Sequence, residues 1–147
     1  MIDEGATKIE TYRKFFHQLV LLYRPFENNL NIELGKHNLY RAQWTILYRL
    51  FNDGPSTLVD LSTYQGVEKP TVTRTINRLE ELGYVEQIPG KDKRERIMQL
   101  TELGKTIYLE VRVTIDQFEQ DILTGISEVE QQEAIRIMES IRHKLIK

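Results

Sequence analysis

Residues 58–100 read LVDLSTYQGVEKPTVTRTINRLEELGYVEQIPGKDKRERIMQL, and the pattern of this stretch decides the fold. From Pro70 to Leu82, the apolar residues Val72, Ile76 and Leu79 fall at i, i+4 and i+7, which is one helical face. Pro70 suits the first turn of that helix, where a missing N–H costs nothing. Upstream, Thr57-Leu58-Val59-Asp60 has the form of a capping box, with Asp in the place usually held by Glu or Gln. It opens a short helix with Leu58 and Leu61 inward. Gly66 can adopt the left-handed backbone that a tight inter-helix turn needs, and Val67 is placed to plug the angle. Two helices joined by so short a turn make a helix-turn-helix. After Gly83, the short apolar runs Tyr84–Ile88 and Ile97–Leu100 flank Pro89–Arg96 and read as a β-hairpin.

The polar side of the second helix suggests a use. Pro70, Thr73, Arg74 and Asn77 lie away from the apolar stripe, flanked by Thr71 and Arg78, with Lys69 just before. Arg can pair with a guanine edge, Asn with adenine, and Thr with a phosphate or a thymine methyl. A solvated amphipathic face would look the same in isolation. The hairpin loop tips the balance, because Lys91, Lys93, Arg94 and Arg96 crowd its eight residues around Asp92. Cations on a hairpin directly after a helix-turn-helix suit phosphates, and an Arg at the tip suits a minor groove.

The residues quoted above resemble the MarR family of bacterial transcription regulators. The match runs through Pro70-Thr-Val-Thr-Arg74, Arg78-Leu-Glu-Glu-Leu-Gly83, Asp92-Lys-Arg94 and the Leu100-Thr101 that follows the hairpin. Length and helix order extend it over nearly the whole chain. The resemblance implies an obligate homodimer on a pseudo-palindromic operator. It also implies that Arg94 enters the minor groove with Asp92 holding it in place.

At 147 residues the chain is one domain, long enough to bury a core. The net charge of −2 excludes a general polycation. Residues 69–96 are nevertheless locally basic, with seven Lys/Arg against five Asp/Glu. No cysteine is present, so disulfides and thiol redox sensing are excluded. The longest apolar run, Leu19–Tyr23, is far too short for a membrane span, and the N-terminus lacks a signal-peptide pattern. A cytoplasmic protein without a membrane partner is expected.

The flanking segments read as helices. Residues 7–34 carry an apolar residue every three or four positions, from Ile9 and Tyr12 through Leu19 to Phe26 and Leu30. Pro25 is expected to kink or locally break that helix. A connector over 33–40 precedes a helix from Arg41 to Asn52, whose stripe is Trp44, Leu47, Tyr48 and Phe51. Asp53-Gly54-Pro55-Ser56 stops it. Thr101 is placed to cap a fifth helix with Leu103, Ile107, Val111, Ile115, Phe118 and Ile122 on one face. Ser127-Glu-Val-Glu130 is a capping box opening a sixth, striped by Ala134, Met138, Ile141 and Leu145. Long apolar stripes at both ends of a small chain call for partners, and an intermolecular helical bundle would supply them.

The expected architecture is therefore mainly α with a small β-hairpin wing: a dimeric winged helix-turn-helix of about six helices. Residues 41–100 would form the DNA-binding region, and 7–34 and 101–147 the dimerisation helices. Double-stranded DNA and a second copy of the chain are the expected partners. The resemblance adds a small aromatic or amphipathic effector, for which Phe16, His37, Trp44 and Tyr48 are candidate contacts. Plain core packing is the competing reading for each of these four. His17, His37 and His143 lack metal-ligand spacing, and there is no Gly-rich phosphate loop or nucleophile motif, so no cofactor and no enzyme activity are expected. A winged-helix module that binds protein, and a metal-responsive regulator, are the alternatives.

Overall fold

The structure, a computed structural model, describes residues 4–92 and 94–146, with side chains from residue 10 onward. Lys93, Lys147 and the side chain of Ile9 lie outside the described residues. In chain order the elements are α1 (Glu4–Gly35), α2 (Arg41–Asp53), β1 (Ser56–Thr57), α3 (Leu58–Gln65), α4 (Lys69–Glu81), β2 (Val85–Ile88), β3 (Ile97–Leu100), α5 (Glu102–Ile122) and α6 (Glu128–Leu145). The chain divides into two compact units, residues 1–115 and 116–147.

In the first unit the helix-turn-helix is built from local signals. Asp60 N–H donates to Thr57 Oγ1 at 3.0 Å, and Thr57 N–H to the Asp60 carboxylate at 3.5 Å, so the Asp variant of the capping box does form. Gly66 ends α3 at φ 66°. Val67, expected to plug the inter-helix angle, is instead 37% exposed. Hydrogen bonds close the turn: Ser62 Oγ donates to Val67 O at 2.5 Å, and Val67 N–H to Ser62 O at 3.2 Å. Val72, Ile76 and Leu79 of α4 are fully buried, as their spacing requires. Each such burial is worth roughly 1.5–3 kcal/mol.

The wing hairpin is antiparallel, with Val85 opposite Leu100 and Ile88 opposite Ile97. A third strand, absent from the sequence reading, joins it: β1 pairs with β3, Ser56 against Met98 and Thr57 against Ile97. The sheet order is β1-β3-β2. β3 is thus the central strand, and its Met98 is fully buried.

Thr101 fixes the start of α5. Its Oγ1 accepts from Gly104 N–H at 2.9 Å and donates to Gly83 O at 2.6 Å, while its own N–H donates to Tyr84 O at 3.1 Å. A Cβ on Gly104 would stand 2.0 Å from Tyr84 O, so only glycine allows this approach. That contact sets the rotation of α5. Its buried face is Gly104, Tyr108, Val111 and Ile115, while Leu103, expected inward, is 50% exposed. Tyr108 stacks on Trp44 (centroids 5.0 Å apart) and on Phe51 (4.2 Å).

α1 passes through Pro25 without the expected break. Proline removes one donor, which would have served Leu21 O. Both residues are exposed, so water can satisfy that carbonyl. Leu30 and Leu34 near the C-terminal end of α1 are buried, whereas Phe15, Phe16, Leu19, Leu22 and Tyr23 remain about half exposed or more. Tyr40 is the residue just before α2, and its N–H donates to Gln43 Oε1 at 3.1 Å.

The second unit contains the end of α5 and all of α6. Ser127 caps α6 as expected, accepting from Glu130 N–H at 3.1 Å and donating its own N–H to Glu130 Oε1 at 2.9 Å. No residue of α6 is buried; Val129, Met138 and Leu145 are strongly exposed.

Candidate nucleic-acid interface

The buried stripe of α4 fixes which side chains it presents to solvent. Pro70, Thr71, Arg74, Asn77 and Arg78 are exposed, along with Lys69 at the first turn. Thr73 is half-buried and donates its hydroxyl to Lys69 O at 2.9 Å. Arg74 Nη2 reaches Thr71 Oγ1 at 3.4 Å. Arg78 pairs with Glu81 at 3.0 Å, with both side chains more than half exposed. A pair so exposed contributes only about 0–1 kcal/mol, so Arg78 can exchange it for a phosphate at little cost.

The wing loop is ordered from its own sequence. Asp92 Oδ1 accepts from Arg94 N–H at 3.0 Å, and Glu95 N–H donates to Asp92 O at 3.1 Å. Asp92 therefore shapes the backbone under Arg94, and the Arg94 side chain is exposed, as is Lys91.

Arg96 is placed differently from the other wing cations. It sits at the wing root, only 29% exposed, with Nη2 2.6 Å from Glu80 Oε1. Its Nε donates to Gln87 Oε1 at 3.1 Å and its Nη1 to Asn77 Oδ1 at 3.4 Å. Glu80 and Gln87 were not among the sequence candidates. Nothing local marks them, because their partner lies 16 and 9 residues along the chain.

The four effector candidates lie on α1, on the connector that follows it and on α2. Phe16 is 49% exposed on α1, and Tyr48 is 42% exposed on α2. Trp44 is buried; its ring stacks on Tyr108, and the Arg112 guanidinium lies 5.3 Å from its centroid. His37 Nε2 lies 2.8 Å from Thr114 Oγ1. A groove of about 450 Å³ is lined elsewhere, by Phe51, Pro55, Glu86, Gln99, Thr101 and Lys105 among others. Among the described residues no group of three His, Asp or Glu is placed to hold a metal ion, and no helix is long and apolar enough to cross a membrane.

A helix-turn-helix whose second helix, α4, carries an exposed polar face, followed by a basic-tipped hairpin, defines a winged helix-turn-helix protein. The profile of the MarR family matches residues 39–95. Over 111 residues the chain is 40% identical to the HTH-type transcriptional regulator YwoH of Bacillus subtilis, covering 76% of this chain and 81% of that protein. It is 32% identical over 138 residues to an HTH-type transcriptional regulator of Staphylococcus aureus (strain Mu50), covering 92% and 94%. Among solved structures, Staphylococcus aureus MarR in complex with salicylate and kanamycin superposes with a TM-score of 0.82 at 30% identity, covering 98% of both chains. A mutant Escherichia coli MarR complexed with operator DNA shares the fold, with a TM-score of 0.77 at 21% identity over 90% of this chain and 96% of that one. The chain belongs to the MarR family of transcriptional regulators.

Proposed function

We propose that this regulator is a homodimeric repressor that reads a pseudo-palindromic DNA operator. The observation that carries the reading is the exposed row Thr71, Arg74, Asn77 and Arg78, presented opposite the buried stripe of α4. In this reading the two α4 helices enter successive major grooves, centred roughly 34–36 Å apart. Arg74, Asn77 and Thr73 face base edges, and Lys69, Thr71 and Arg78 hold phosphates. Lys91, Lys93 and Arg94 take the wing to the flanking backbone and minor groove, with Asp92 shaping the turn beneath Arg94. Residues 41–100 form the reading head.

Residues 7–34 and 101–147 supply the dimer contacts. The half-exposed aromatic and aliphatic side chains of α1, and the wholly unburied α6, support that assignment. Apolar surface of that extent is what an obligate partner covers. A small aromatic or amphipathic acid acts as effector, a class suggested by the salicylate held in the Staphylococcus aureus relative. It releases DNA by binding better to a dimer whose head spacing misfits the operator, and it shifts the balance only by that difference in affinity.

The test is a binding selection from genomic fragments with the purified protein, repeated at two salt concentrations. Recovery of one inverted-repeat motif supports the reading. Binding that is blind to sequence and disappears with salt refutes it.

A further inference from the structure

The groove beside the sheet carries chemistry that operator binding does not use. Its volume, about 450 Å³, falls in the usual range for small-molecule sites. The lining comes from the end of α2 (Phe51), the stop after it (Pro55), the two wing strands (Glu86 and Gln99) and the first turn of α5 (Lys105). All of these lie within the first unit. Phe51 gives the groove a fixed aromatic face. Its ring stacks on Tyr108 with centroids 4.2 Å apart and planes 7° apart, and Trp44 stacks on the same Tyr108 at 5.0 Å and 9°. Two parallel rings so near one centroid would collide side by side on a single face, so Tyr108 lies between them. Phe51 ends this column. It remains 40% exposed, and no second ring stacks on it among the described residues.

Glu86 sets the charge of the groove. Its Oε1 accepts from Gln99 Nε2 at 2.8 Å, a neutral partner, and no cation among the described residues pairs with it. Lys105, the one cation in the lining, is already paired with Glu102 at 3.2 Å. The start of α5 would otherwise draw an anion. Gly104 N–H is taken by Thr101 Oγ1, however, and Glu102 places a carboxylate in that first turn.

We propose that this groove is a binding site for a small aromatic cation, whose flat body stacks on Phe51 and whose amidinium or ammonium pairs with Glu86. Such a ligand gains from the ring face and from the unneutralised carboxylate together. An aromatic acid meets Glu86 and Glu102 instead. The site thus selects the charge opposite to that of the effector class proposed above, and it does not depend on operator binding.

The test titrates the full-length protein with benzamidine and with benzoate, flat rings of similar size and opposite charge, by isothermal calorimetry and amide-resolved NMR. Benzamidine is expected to bind saturably, to shift the amides of Phe51, Glu86 and Gln99, and to bind about fivefold or more tightly than benzoate. Glu86→Gln keeps an acceptor for Gln99 and removes the charge, so it should weaken benzamidine about three- to fivefold and narrow its preference over benzoate. Phe51→Leu keeps the apolar bulk and removes the ring face, with a loss of about the same size. Should that variant unfold, Glu86→Gln decides alone, because Glu86 is exposed and its loss of charge spares the core. The exposed Glu102 pair is weak enough for Lys105 to leave it. Tighter binding of benzoate, abolished by Lys105→Met, would make the groove an anion site and overturn the proposal. Benzamidine binding that Glu86→Gln leaves unchanged would overturn it too, as would the absence of saturation within the solubility of benzamidine. Failure to select any operator would overturn the proposed function and leave this result standing.

Discussion

Arg74 projects from the middle of the exposed face of α4, within 3.4 Å of Thr71 Oγ1 and no closer partner. If it makes a bidentate base contact, Arg74→Ala weakens operator binding by about 1–3 kcal/mol and relaxes preference at one base pair. Equal losses on operator and random DNA, measured by titration at fixed salt, would make it a phosphate contact instead. Gly104 is a different kind of residue. Its role is the space it leaves for Tyr84 O, only 2.0 Å from where a Cβ would be. Neither α5 nor the start of the wing can move alone, because Thr101 bonds to both. Gly104→Ala is therefore expected to cost at least about 1–3 kcal/mol in urea unfolding, the usual range for overpacking. A midpoint equal to wild type would show that the junction is slack.

At the scale of elements, the caps give the clearest expectations. Glu130 accepts from the Ser127 backbone N–H and, more weakly, feels the Ser127 hydroxyl, and both hold its carboxyl below the ordinary glutamate range. Glu133 is lowered in the same direction by Arg136. A carboxyl whose folded pKa is depressed stabilises the fold above its unfolded pKa, and that contribution is lost as pH falls through the folded value. Far-UV circular dichroism should thus show α6 losing helicity on acidification below the ordinary glutamate range, and Glu130→Gln, which removes the titrating carboxyl, should flatten the change. A helix content independent of pH in both proteins would contradict this. The same local chemistry explains what could be read beforehand. The α4 stripe, the Thr57 and Ser127 caps and the Gly66 turn each lie within a few residues, where spacing and backbone preference carry the signal. β1 is two residues long and shows no alternation, so it exists only because β3 is there to pair with it. Val67 and Leu103 were expected inward on local spacing. Hydrogen bonds from Ser62 close the turn without the first, and the glycine contact at Tyr84 rotates α5 away from the second. Among the candidate site residues, sequence could place Arg74 and Asn77 on an exposed face. It could not separate Arg96 from Arg94, because Glu80 reaches Arg96 only once the sheet has brought the wing root against α4.

At the scale of the whole molecule, the decisive quantity is uncovered apolar surface. Leu19 and Leu22 are 51% and 65% exposed on α1, so charges placed there should spare the monomer fold. The double variant Leu19→Glu, Leu22→Glu is expected to sediment as a folded monomer where wild type sediments as a dimer, and to bind operator at least tenfold more weakly. A double variant that remains dimeric would move the interface off this face. The three-stranded sheet also determines how the molecule responds to a protease. Lys91 and Arg94 are exposed in the wing loop and offer trypsin a natural site. Yet a cut there would fall between β2 and β3, and β3 is gripped on both edges, by β1 from the first fragment as well as by β2. The two pieces should stay together as one nicked particle, separable only by denaturant. The wing can thus be severed at its tip without the head coming apart.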